Sequence, residues 1–489
     1  MSAGEFTPQM FAALLPEMGL VILALVLMGL DLLWKYKEDL RAKSLSWITA
    51  GGLVVIMALA VFATQPGTQG ELVWGGMLRF DQAGFVFRLV FLCGAAMTAL
   101  FASQYEWLRA RGEFYTLLLI STLGMCLVAS SADLIMLYLA IETTAIPLYV
   151  LSGFLIRKEQ SVEAGIKYLL FGAMTSAIML YGFSLLYGIT GTTQMYAIRD
   201  ALAGQSGMSG LLIGVMALVM VGLAFKISAA PFHFWAPDVY QGAPTPVSGF
   251  LSTASKAAGF AGALRILQVV FADQGPAWSI LIAILATASM LLGNYLALAQ
   301  KNMKRLLAYS SIAQAGYILI GLAAGTEFGG TATVYYLIAY LVTNLAAFGI
   351  VSVVENRTGS DEIAALSGLS RRAPALALAM LAAMLSLGGV PPFAGFFSKL
   401  LVFGAAVDAH MYWLVIVGIF NAVISLYYYL KILKVMYLDA PAEEKTVPAQ
   451  GAAWKVALGI CVLGIFLLGI WFAPWYSLSQ GAALALWAY

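Results

Sequence analysis

The chain has 489 residues, of which 62% are hydrophobic and only 10% charged, with a formal net charge of +2. Soluble domains carry about a quarter charged residues, so this composition excludes a soluble enzyme and predicts a single integral membrane domain. The charge is spread without any basic patch, which excludes a nucleic-acid partner.

The N-terminal MSAGEFTPQM lacks the basic region and cleavage site of a secretory signal, so the first apolar run is expected to remain as a span. A span needs roughly 20 mostly apolar residues, and about fourteen such runs follow one another. They fall near 11–33, 45–64, 82–102, 114–131, 133–155, 165–190, 210–240, 247–271, 277–299, 305–324, 332–354, 374–405, 411–437 and 453–473. Cys93, Cys126 and Cys461 lie inside these runs with no CxxC spacing, so no disulfide framework, metal centre or iron–sulfur site is expected. GxG patterns occur in apolar runs rather than between a strand and a helix, and predict no dinucleotide loop.

The odd-numbered loops carry Lys35, Lys37, Arg41 and Lys43, then Arg109 and Arg111, Arg157 and Lys158, Lys301, Lys304 and Arg305, Arg357, Arg371 and Arg372, and finally Lys431, Lys434, Lys445 and Lys455. The even loops hold only Arg79 and Arg199. The positive-inside rule makes the odd loops cytoplasmic and puts both termini on the outer side. Spans 4–8 and 9–13 read as two five-helix repeats, 111–273 and 274–440, flanked by 1–110 with helices 1–3 and 441–489 with helix 14. An odd repeat length inverts the second repeat in the membrane. The expected fold is therefore all-α and integral to the membrane, with about 14 transmembrane helices, two inverted repeats, and proline-broken helices at spans 7 and 12.

Six basic residues fall within the spans. Arg88, Lys167 and Arg265 are near a span end or able to pair locally, where a long side chain snorkels to the interface. Lys226 is different: it lies about fifteen residues from the outer end of its span and twelve from Asp238, roughly 18–22 Å from either at 1.5 Å per residue. By the same count Lys256, Lys399 and Glu142 are each about 13 Å from the nearer end. A static pair between Glu142 and one lysine leaves at least two deep amines without a carboxylate. An amine unpartnered in low dielectric readily gives up its proton, so these residues are candidate proton carriers with Glu142 as an electrostatic switch.

Pro231, in GLAFKISAAPFHFWAPD, frees a carbonyl one turn earlier, which the membrane tolerates only beside protein or an aqueous cavity. The twelfth span repeats the fault, where GGVPPFAG interrupts the helix and Lys399 follows seven residues after Pro392. Interrupted helices at corresponding places in two repeats point to the transport site. His233, two residues after Pro231, either passes a proton between lysines or bonds a freed carbonyl. His410, beside Asp408 in an outer loop, is expected to be solvated.

The runs FKISAAPFHFWAPDVYQGAPTPVSGFLSTASKAAGFAGALR, KRLLAYSSIAQAGY and GGVPPFAGFFSKL resemble the antiporter-like proton-pumping subunits of respiratory complex I, most closely the subunit N branch of bacterial NADH:quinone oxidoreductase. The likeness extends over nearly the whole chain. It implies that Glu142 is the family's fifth-helix glutamate, Lys226 the central broken-helix lysine, Lys256 the connecting lysine and Lys399 the outlet. It adds His233 beside the break and Lys167 on the sixth helix, against the snorkelling reading of Lys167. In one sister subunit the outlet is a glutamate, where this chain has Lys399; another sister has a long lateral C-terminal helix, which is not expected here.

The resemblance implies a translocase subunit of the bacterial inner membrane that works beside sister antiporter-like subunits and does no redox chemistry itself. NADH, FMN, iron–sulfur clusters and quinone would belong to other subunits. Two alternatives remain. A sodium/proton antiporter would need further oxygen ligands such as a second deep carboxylate, for which only the less central Glu17 is at hand. A structural scaffold would use the buried charges only to set helix register.

Overall fold

The computed structural model describes residues 8–67, 69–203, 210–440 and 450–487. Lys445 and both chain ends lie outside the described residues. In lipid every backbone group must be satisfied within its own segment, and the described chain is accordingly helical apart from one short hairpin, Glu71–Val73 paired antiparallel with Leu78–Phe80.

Among the described residues, twelve helices are long and apolar enough to cross a membrane. The two other expected spans are built of pieces too short to qualify. Residues 245–271 alternate α and π turns, as Thr245–Phe250, Leu251–Ser255, Lys256–Arg265 and Ile266–Val270. The twelfth expected span is divided into Pro374–Gly388 and Ala394–Asp408 by residues 389–393. The seventh divides likewise into Gly210–Ile227 and Trp235–Gly242. A further helix, Phe472–Trp487, continues beyond the last expected span. It packs on Glu327–Thr358 and Gln82–Ala102.

The centre of the bundle is formed by Met303–Ala323 and Glu327–Thr358, whose most apolar stretches are 94% and 89% buried against 33% for the peripheral Tyr412–Tyr437. Glu327–Thr358 has 32 residues and so extends about 48 Å. It touches both halves of the broken twelfth span, Pro374–Gly388 and Ala394–Asp408, as well as Ala452–Ile470 and Thr245–Phe250, while Trp235–Gly242 of the seventh span packs on Met303–Ala323.

Two of the arginines expected to snorkel or pair locally do neither. Arg88 Nη2 lies 2.7 Å from Glu17 Oε1 and donates to Ala13 O at 3.0 Å, tying the third long helix to the first. Arg265 Nη2 lies 2.7 Å from Asp81 Oδ1, and its Nε donates to Ala129 O. Both side chains are buried, because a carboxylate from a distant part of the chain replaces the water that snorkelling would have supplied.

Candidate functional site

The helix Gly210–Ile227 ends one residue after Lys226. Ile227 O is the acceptor that Pro231, four residues on, cannot serve. The chain passes through Ser228 at φ 57° and a cis Ala230–Pro231 peptide before Trp235–Gly242 begins. Neighbours hold this break open: Ala230 N donates to Ser289 Oγ at 2.9 Å, and Trp235 Nε1 donates to Phe225 O at 3.3 Å.

Lys226 makes no hydrogen bond among the described residues. Its ammonium lies 5.8 Å from the centre of the Tyr149 ring and 5.7 Å from that of Phe225, within the range of cation–π attraction. Glu142, on Leu134–Ser152, accepts instead from Ser176 Oγ, and among the described residues no salt bridge joins it to Lys226. The static ion pair is therefore not formed. A cavity of about 10 Å³ lined by Thr144, Lys226, Ser255 and Gly259 has room for about one water. His233 is buried and stacked on Phe234 at 4.6 Å, with Nδ1 unpartnered among the described residues.

At the second break the lysine and the prolines are linked directly. Pro391 and Pro392 lack the N–H groups that would have bonded Leu387 O and Gly388 O in a continuous helix. Lys399 Nζ donates to those same two carbonyls, at 3.0 Å each. Gly389, at φ 83°, leaves the room: a Cβ there would stand 2.8 Å from Lys399 Cδ. The ammonium also lies 4.9 Å from the Tyr317 ring centre.

Polar contacts connect the two regions. Lys256, fully buried, donates to Ser311 O at 2.7 Å and to Ser311 Oγ at 2.8 Å. The adjoining Ser310 Oγ lies 2.5 Å from Tyr429 OH. Gln314 Nε2 donates to Tyr429 OH and to Leu387 O, both at 3.1 Å, and Leu387 O is one of the acceptors of Lys399. Serine and tyrosine hydroxyls both donate and accept, so they are able to pass a proton, whereas the Gln314 amide can only orient its neighbours. On the other side, Gly259 stands one turn from Lys256, and a Cβ there would lie 3.1 Å from Lys226 Cβ. The missing side chain lets the Lys226 helix approach the Lys256 helix.

The six residues singled out from the sequence divide into two groups. Glu142, Lys226, Lys256, Lys399 and His233 line the two breaks and the helices against them. Lys167 Nζ instead lies 2.6 Å from Asp238 Oδ2 and 2.6 Å from Glu163 Oε1, beside a cleft of about 200 Å³ shared with Arg305. Arg305 Nη1 also reaches Asp238, at 2.6 Å. His410 is exposed. Sequence reasoning missed Ser310, Ser311, Gln314 and Tyr429. The available signal for the first three was the polar spacing in AYSSIAQ within an otherwise apolar run.

The family profile described as NADH:quinone oxidoreductase/Mrp antiporter, TM, matches residues 131–425, which include both breaks. A protein named NADH-quinone oxidoreductase subunit N from Moorella thermoacetica is 41% identical over 466 residues, covering 94% of this chain and 96% of its own. The NAD(P)H-quinone oxidoreductase subunit 2 of Synechococcus elongatus is 41% identical over 482 residues, 96% of this chain and 91% of its own. A chain in the structure of respiratory complex I from Thermus thermophilus with bound aureothin superposes with a TM-score of 0.78 at 35% identity, covering 94% of this chain and 97% of that one. Matched along nearly its full length, the chain belongs to the antiporter-like family of NADH-quinone oxidoreductase subunit N.

Proposed function

We propose that this chain is a proton-translocating membrane-arm subunit of an NADH:quinone oxidoreductase, with Glu142, Lys226, Lys256 and Lys399 as its relay. NADH oxidation and quinone reduction take place in other subunits, and their energy arrives through buried charges along sister antiporter-like subunits. A charge change next door moves Glu142 toward or away from Lys226, which raises or lowers that amine's hold on its proton. The proton then passes by His233 and Lys256 to Lys399 and out to the periplasm. Cytoplasmic uptake refills the site.

The observation that carries this reading is the row of polar groups between two of its lysines: Lys256 donates to Ser311, the adjoining Ser310 meets Tyr429, and Gln314 orients Tyr429 while holding the Leu387 carbonyl that Lys399 also holds. Hydration at the first break is supported by two buried polar atoms without a protein partner among the described residues, Tyr149 OH and His233 Nδ1. Leaving them dry is costly, and internal water satisfies such groups.

With residues 245–270 and 374–408 each counted as one crossing, the chain crosses the inner membrane fourteen times, has inverted repeats at spans 4–8 and 9–13, and keeps both ends in the periplasm. The interrupted helices support the repeats, since Pro231 and Pro392 each fall in the fourth helix of a five-helix set. The antiporter alternative loses its second carboxylate, because Glu17 is occupied by Arg88.

Lys226→Ala in the assembled complex is the test. Loss of NADH-driven proton uptake with assembly retained supports the relay. Undiminished pumping favours a scaffold, and sodium-dependent transport by the isolated chain favours the antiporter.

A further inference from the structure

On the membrane face of the odd loops, a cleft of about 470 Å³ opens between the start of Gly112–Ser130 and the connection 153–158. Its lining includes Trp107, Arg111, Arg157 and Lys158, with Glu113 as the one acidic residue. Three cations against one carboxylate leave a positive site, and no residue of the proposed relay lines it. Arg111 spends part of its charge on Glu113 at 3.6 Å, but both side chains stay about half exposed, at 56% and 50%. The Arg157 guanidinium lies 5.7 Å from the Trp107 ring centre, so aromatic and cation sit together.

The rest of the lining is apolar and exposed. Ile156 is 80% and Val150 51% exposed, and Val150 is followed one turn down its helix by the exposed Ile146. A soluble anion has no use for such a wall, whereas an amphiphile whose charged head meets the arginines would lay its chain along it. Basic pockets with aromatic residues at the cytoplasmic interface suit anionic head groups.

We propose that this cleft binds one anionic phospholipid of the cytoplasmic leaflet. Its phosphate is held by Arg111, Arg157 and Lys158, and an acyl chain runs over Ile156, Val150 and Ile146. The site is independent of proton transfer and holds whether or not the chain pumps.

The test uses the full chain, purified within the assembly in which it is expressed and reconstituted in phosphatidylcholine nanodiscs with or without phosphatidylglycerol. Native mass spectrometry should find one phosphatidylglycerol retained by wild type. The triple variant R111Q/R157Q/K158Q should bind it about 10²-fold more weakly, at roughly the worth of one juxtamembrane charge per residue. K431Q/K434Q, which removes two exposed cations of the same membrane face, should bind it as wild type does. Should the triple variant fail to assemble, a phosphatidylglycerol probe with a photoreactive acyl chain must label the Val150–Ile156 peptide of wild type. Equal retention by the triple variant, displacement by inorganic phosphate, labelling elsewhere, or loss of a neighbouring subunit in place of the lipid would each overturn the proposal.

Discussion

Lys399 has two separable tasks, and two substitutions tell them apart. As a structural group, its ammonium holds the Leu387 and Gly388 carbonyls at 3.0 Å each. Hydrogen bonds to charged groups contribute about 1.5–3 kcal/mol apiece. Gln314 also holds Leu387 O, so Lys399→Met strands chiefly Gly388 O and should cost about 2–4 kcal/mol. Lys399→Arg keeps a cation with donors for both carbonyls, but a guanidinium does not release its proton. The arginine variant should therefore assemble and melt close to wild type while NADH-driven proton uptake into proteoliposomes falls by roughly 10²-fold or more, the usual scale for a lost proton-transfer group. The methionine variant should lose both pumping and thermal stability. If Lys399→Arg pumps at the wild-type rate, Lys399 is a helix-break clamp and not a proton carrier.

Three further outcomes are expected. Tyr429→Phe deletes the hydroxyl between Ser310 and Gln314; it should cost only about 1 kcal/mol in stability yet slow proton uptake roughly tenfold, about 1.4 kcal/mol in barrier. Gly389→Ala forces a side chain into a φ of 83° and against Lys399 Cδ. The backbone alone costs about 1 kcal/mol, and the melting shift should be non-additive with Lys399→Met, as for residues in contact. Glu17→Gln strands Arg88 in a dry site and should lower stability by about 3–5 kcal/mol, whereas Glu17→Leu combined with Arg88→Met should restore most of it, since removing both charges also removes their desolvation cost.

The sequence-derived spans lie where the helices are found, because a crossing requires about 20 apolar residues whatever its neighbours are. The two breaks were equally legible, since proline removes a backbone donor in any context. The helix Phe472–Trp487 was not anticipated, because Trp471 ends the preceding helix and only packing on Glu327–Thr358 and Gln82–Ala102 gives the next segment its place.

What the amino-acid sequence determined by itself is the membrane class and the position and interruption of its helices. Tertiary structure alone decided the partners of its charges. Arg88 meets Glu17 from 71 residues away and Arg265 meets Asp81 from 184. Lys256 is bound to Ser311 and Lys399 to its own broken helix, while Lys226 is left to two aromatic rings. In a soluble helix the contrast of polar and apolar faces tells inside from outside. In lipid both faces are apolar, so the side of a helix that meets another helix carries little mark in its sequence, and the match between a buried charge and its distant partner exists only once the bundle has closed.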